Sequence, residues 1–177
     1  MSERKALYYG QLELIPGIVC DGYILDDNTS VLSERGTADL LGMNHMTLNI
    51  MAGNWPPIFL KSFTDNDYIM AGNLVEVSAP KSRYYGRKII VYTALDIETI
   101  IRAYATAFVK KGLRKNQLHI GERAVTLLIT LVRTALDTAI KQACGFSPNI
   151  QETAQKHYKD AVRVLKEMGL RCSVPGC

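Results

Sequence analysis

Two short stretches concentrate the side chains best equipped to bind something. KSRYYGRK sets Lys81, Arg83, Arg87 and Lys88 around Tyr84 and Tyr85, and KKGLRK gathers Lys110, Lys111, Arg114 and Lys115 within six residues. Lysine and arginine neutralise phosphates and release their counterions, while tyrosine stacks on bases or hydrogen-bonds to phosphate oxygens. That combination is the chemistry of nucleic-acid binding. Each stretch also has a plainer reading. The first fits a solvated turn with its tyrosines lying on a sheet, and lysines at a helix C-terminus interact favourably with the helix dipole whatever else they do. The net charge of +4 permits an acidic partner without demanding one.

Catalytic chemistry finds little to work with. Asp26 and Asp27 are adjacent carboxylates in a turn sequence, where such residues bond their own backbone. His119 and Glu122 lie three apart on a helical stretch with no second histidine-bearing turn to complete a metal site, so His119 reads as a solvent-facing or interface residue. Ser33 in LSERG lacks the flanking glycines of a nucleophile elbow and fits a helix cap instead. Neither GxxxxGK[ST] nor GxGxxG occurs, which leaves a phosphate loop unsupported. The four cysteines, Cys20, Cys144, Cys172 and Cys177, form no CxxC pair; they read as reduced thiols, with Cys20 and Cys144 buried. The expectation is a protein that is not an enzyme and uses no cofactor or metal.

The elements that must position the basic stretches follow from periodicity. Up to about residue 93 the pattern is short and broken by Gly, Pro, Asn and Asp. Residues 5–9 and 11–15 read as strands separated by Gly10, residues 18–25 as the next, and TSVLS as its partner across the turn Asp26-Asp27-Asn28. Ser33 then caps a helix through ERGTADLL that stops at Gly42. Residues 43–72 read as irregular, and NLVEVSAP and RKIIVYTA as a second hairpin around KSRYYG. From residue 94 the period is helical. A helix capped by Thr93 carries Ile97, Ile100, Ile101, Tyr104, Ala105 and Phe108 and ends at Gly112. Asn116 caps a second of about 28 residues, with Ile120, Ala124, Leu127, Leu131, Ala135, Leu136, Ala139 and Ile140 along one side and Leu128 and Val132 widening the stripe. Ser147-Pro148 starts a third, to about residue 168.

The predicted class is therefore α+β, with N-terminal antiparallel hairpins and a short helix followed by a C-terminal bundle of three helices, one of them long. Residues 1–93 form the β-rich part and 94–170 the helical part of one compact unit, with 171–177 as a loose tail. The long helix exceeds what a small domain covers. One side serves the core against Ile100, Tyr104 and Phe108; Leu128, Val132 and Leu136 then need either the last helix or a second chain over them. A two-fold pairing uses one patch twice, so a homodimer is expected. No run of about 18 apolar residues and no signal-like N-terminus occurs, which points to a cytoplasmic protein with no membrane partner.

The succession of strand, acidic turn, strand, VLSERG, helix and LG resembles a family of phage- and plasmid-borne proteins of uncharacterised function, and is more distantly similar to the N-terminal module of BRO-type phage antirepressors. The resemblance continues through WPPIFLKSF, YTALDIETIIRAY and KGLRKNQLHIGERAVTLLITLVRTALDTAIKQACGF, covering roughly residues 17–147. Two places depart from it. The family's acidic-Gly-Thr-Arg turn is here Asp27, Asn28, Thr29 and Ser30, without the arginine. Its acidic residues before Ala-Thr-Gly-aromatic are replaced by Lys141, Gln142, Ala143, Cys144, Gly145 and Phe146. The resemblance implies a mobile-element origin rather than a mechanism. Two functions are expected on these grounds: an antirepressor-like regulator associating with nucleic acid, or a protein-binding inhibitor of a host factor such as a defence system, with a host or phage protein as its partner.

Overall fold

The computed structural model describes residues 3–70 and 72–169. The fold is mixed α+β, strands first and helices after, and falls into two compact units, residues 1–12 with 19–100 and residues 13–18 with 101–177. The expected tail at 171–177 lies outside the described residues.

In the first unit, β1 (Lys5–Ile15), β2 (Ile18–Leu25), β3 (Ser30–Ser33), β4 (Asn73–Val77) and β5 (Lys88–Thr93) close into a barrel in the order β1-β2-β3-β5-β4. The hairpins pair antiparallel as expected, but closure is made by a parallel pair, with Lys5 opposite Glu76 and Ala6 opposite Val77. Closing the sheet removes its open edges, which a flat sheet of five strands would otherwise expose. Ala6, Tyr23, Leu25, Val31, Val75, Val77, Ala79 and Val91 fill the interior. Gly10 does not divide β1, which runs unbroken for 11 residues.

The β2–β3 turn behaves as its acidic sequence suggests. Asn28 sits at φ 71, and Asp27 Oδ1 accepts from Thr29 N–H at 3.0 Å. The Thr29 hydroxyl first, then that Thr29 N–H and the Arg4 guanidinium beside it, hold the Asp27 carboxyl down at about 2. Ser33 caps α1 (Glu34–Leu41) by accepting from Gly36 N–H at 3.1 Å, and Gly42 ends it at φ 76. Gly36 stands in a tight place: a Cβ there would lie 3.0 Å from Ser33 Oγ and 3.1 Å from Cys20 Cβ. The buried Cys20 thiol donates to the Gly36 carbonyl, and burial pushes its pKa up to about 11.

Residues 43–72 are more regular than expected. Asn44 accepts from Met46 N–H and starts α2 (His45–Gly53), which buries Leu48, Met51 and Ala52, and a 3₁₀ turn follows at Ile58–Phe63. The helix escapes a periodicity reading because Met46 and Ile50 on its open side are apolar too.

α3 (Ala94–Val109) starts as expected, Thr93 and Asp96 bonding each other's backbone N–H. Its second half belongs to the second unit with α4 (Leu118–Ala143) and α5 (Ile150–Glu167). Asn116 does not cap α4. It lies inside a 3₁₀ turn at Lys115–Gln117, with Gln117 Oε1 accepting from Arg114 N–H, and α4 is 26 residues long, about 39 Å. Asn149, rather than Ser147, caps α5, accepting from Gln151 and Glu152 N–H. Gly121 lets α4 approach Phe108, since a Cβ there would fall 2.7 Å from Phe108 Cβ. Residues 13–18, the end of the first hairpin, are fastened within this unit: Gln151 accepts from Glu13 N–H and Gln155 donates to its carbonyl.

The buried face of α4 differs from expectation. Ile120, Ala124 and Leu127 are buried as read, but the second half buries Thr130, Thr134 and Thr138, while Ala135, Leu136, Ala139 and Ile140 face outward. Cys144, expected buried, is exposed at the helix C-cap, one residue past α4 and beyond its last buried side chain. Among the described residues no helix is long and apolar enough to cross a membrane.

Candidate nucleic-acid interface

The segment between β4 and β5 is a chain of tight turns. Ser82 N–H bonds Ala79, Tyr85 N–H bonds Ser82, and Arg87 N–H bonds Tyr84, with Gly86 at φ 74. Ser82 is buried and shares a 2.8 Å hydrogen bond with Tyr23 from the barrel interior, which fixes the segment to the barrel. The neighbouring cations divide into two kinds.

Arg83 and Lys88 are already paired. Arg83 donates to Asp21 at 2.9 Å and lies 4.9 Å over the Tyr84 ring. Asp21 is only 7% exposed against 65% for Arg83, and its other oxygen accepts from Tyr9 at 2.8 Å. The Asp21 carboxylate raises the Arg83 pKa still further, while burial, then the bond to Asp21, raises that of Tyr9. Lys88 pairs with Glu3. Tyr84 is half-buried against the barrel core, its ring already occupied by Arg83, whereas Tyr85 is exposed. Lys81 and Arg87 are exposed and meet no carboxylate among the described residues.

The α3–α4 connection is different. Lys110, Lys111, Arg114 and Lys115 are all exposed, and no carboxylate pairs with any of them among the described residues. The backbone there is unusual as well. Gly112 N–H bonds Ala107 at 2.8 Å and Lys111 N–H bonds Phe108 at 3.1 Å, the two bonds of a Schellman ending. The left-handed position of that motif belongs to Lys111, at φ 58. After α1, α4 and α5 the corresponding left-handed residues are Gly42, Gly145 and Gly169. Here the glycine stands one position late, and a lysine carries the cost of the left-handed backbone. The helix dipole favours cations at this end of α3, but it does not require one in that conformation.

Of the expected interface residues, Val132 and Leu136 are exposed on α4 and Leu128 is half-buried. The sequence reading missed Asp21, whose link to Arg83 spans 62 positions and leaves no local signal. It also missed Ile140 as an outward residue, although its spacing of four from Leu136 could have found it. His119 and Glu122 lie in the first turns of α4, and among the described residues no three His, Cys, Asp or Glu side chains gather as a metal site. The chain matches no family model, no curated protein and no solved structure.

Proposed function

We propose that this protein is a non-enzymatic, antirepressor-like regulator of a phage or other mobile element that associates with nucleic acid. The α3–α4 connection is its principal contact, and Lys81 and Arg87 are supplementary ones. The observation that carries this reading is the set of four exposed, carboxylate-free cations on one short connection, one of them held in a backbone conformation that the ends of α1, α4 and α5 give to glycine. Phosphate contacts of this kind position a protein on nucleic acid without reading sequence.

Counterion release makes the test quantitative. The four contacts of the α3–α4 connection alone give a slope of about −3.6 in log K against log salt, so raising salt from about 50 to 200 mM weakens duplex binding at least about 150-fold. A gel-shift titration at the two salt concentrations reads this directly. Replacing Lys110, Lys111, Arg114 and Lys115 by alanine removes that share of the slope and leaves only what Lys81 and Arg87 supply. Duplex and single-stranded probes that both fail to bind at low salt overturn the reading.

A second reading, a protein-binding inhibitor of a host factor, is favoured by a different observation. In the first unit Ile58 and Ile69 are each 86% exposed, and Met46 and Ile50 on α2 are exposed too. Isolated surface apolar residues are ordinary, but several along one short segment suit a protein contact. Stoichiometric co-purification with one host protein, lost on replacing Ile58 and Ile69 by serine, selects this reading.

A further inference from the structure

α4 carries its polar and apolar faces the wrong way round for an isolated unit. Its buried face holds Thr126, Thr130, Thr134 and Thr138. The first three hydroxyls are spent on the helix's own backbone, donating to Glu122, Thr126 and Thr130 carbonyls at 2.7–2.8 Å. At 100° per residue the opposite face runs through Val132, Leu136 and Ile140, which are 57%, 60% and 63% exposed, and Phe146 just beyond the helix is 67% exposed. α5 packs along α4 and leaves this face open.

We infer that a second copy of this chain covers that face, the two α4 helices pairing antiparallel about a two-fold axis at Leu136. Three features select this occupant and this direction. First, the stripe is symmetric about its centre: Val132 and Ile140 each stand about 6 Å along the helix from Leu136, so Val132 of one copy meets Ile140 of the other while Leu136 meets itself. Second, the flank is self-complementary. Arg133 and Asp137 lie on the same side of the stripe, and the two-fold axis sets Arg133 of each copy about 3 Å along the axis from Asp137 of the other. Asp137 already bonds Lys141 of its own helix through Oδ2 at 2.8 Å, with His157 at 4.0 Å from the same oxygen, so the cross-pair falls to its Oδ1. A parallel pairing would instead set that flank against Ala135 and Ala139. Third, the area is of the right order. The four large exposed side chains offer on the order of 400 Å², about half of the roughly 800 Å² per partner of a standard interface before the alanine flank and the rim are added. The inference is independent of any nucleic-acid contact.

Light scattering on the full chain at micromolar concentration is expected to give about 39 kDa, twice the 19.7 kDa of one copy. Leu136→Glu should return it to a monomer with unchanged helical circular dichroism. Arg133→Asp should weaken the pair, and adding Asp137→Arg should restore it, because both cross-pairs are then rebuilt with reversed sign. A wild-type monomer, a Leu136→Glu dimer, or a double variant no tighter than Arg133→Asp overturns the proposal. Should Leu136→Glu lose its helix signal, the charge-swap pair decides on its own, since both positions lie at the rim.

Discussion

Replacing Lys111 by glycine separates the two roles that this residue combines. A left-handed backbone costs a residue with a Cβ about 1–2 kcal/mol, and glycine none. Glycine also gives the unfolded chain more freedom, which returns about 0.5–1 kcal/mol of that gain. The net expectation for Lys111→Gly is a stabilisation of about 0.5–1 kcal/mol, or a rise of about 1–4 °C in Tm for a chain of this size. Binding should move the other way. With three cations left on the connection, its share of the salt slope falls from about −3.6 to −2.7, and the loss of affinity it causes between about 50 and 200 mM shrinks from roughly 150-fold to roughly 40-fold. Lys111→Ala supplies the control: it removes the same charge but keeps the Cβ, so the slope falls equally without the gain in Tm. Thermal melts and duplex titrations on the three proteins decide the matter. A Lys111→Gly chain no more stable than Lys111→Ala would refute the argument from backbone strain, and an unchanged slope would remove Lys111 from the contact.

The paired and unpaired arginines should differ in the same titration. Arg83→Ala leaves the salt slope where it was, because Asp21 and Tyr84 already occupy that side chain, while Arg114→Ala lowers it by about 0.9. Asp21→Ala leaves the Tyr9 hydroxyl without its acceptor and should cost about 1–3 kcal/mol in urea unfolding. Thr138→Val should stabilise by about 1 kcal/mol or more, since the Thr138 hydroxyl is buried with no partner among the described residues; Thr134→Val, which gives up a backbone bond, should not. Asp27 has a folded pKa of about 2, below its unfolded value near 3.8. Its stabilising contribution is therefore complete above about pH 4 and lost as pH falls towards 2. The stability gap between wild type and Asp27→Asn, measured by urea titration across that window, should close on acidification.

The legible part of this fold was the part determined locally. Ser33 and Gly42 announce both ends of α1, Asp26-Asp27-Asn28 announces a turn, and the change to a helical period at residue 94 marks where the strands end. Such signals act over three or four residues, through caps and turn backbones, and survive whatever packs around them. Barrel closure leaves no comparable trace. The parallel pairing of Lys5 and Ala6 with Glu76 and Val77 joins segments about 70 positions apart, and nothing in either segment names the other. The same distance hides the fate of Arg83, a free cation by composition and a partner of buried Asp21 by topology.

α4 shows a subtler failure, and it bears on how such helices should be read. An apolar stripe is assigned to the core because burial in its own chain is the usual way to remove it from water. Threonine is assigned to the surface because its hydroxyl needs a partner. Inside a helix that need can be met locally, by the carbonyl four residues back, so Thr126, Thr130 and Thr134 enter the interior with their hydroxyls satisfied. Once threonine can serve as a small buried residue against α5, the aliphatic side chains are released to the other face. Leu136 and Ile140 then no longer describe the core of one chain; they stand exposed on its outer face. The alternation of a threonine every fourth residue with a Val, Leu or Ile two positions later, at 130/132, 134/136 and 138/140, is visible in the sequence alone. If the two-fold pairing inferred above holds, it marks a helix with two covered faces, of which one chain supplies only the threonine side.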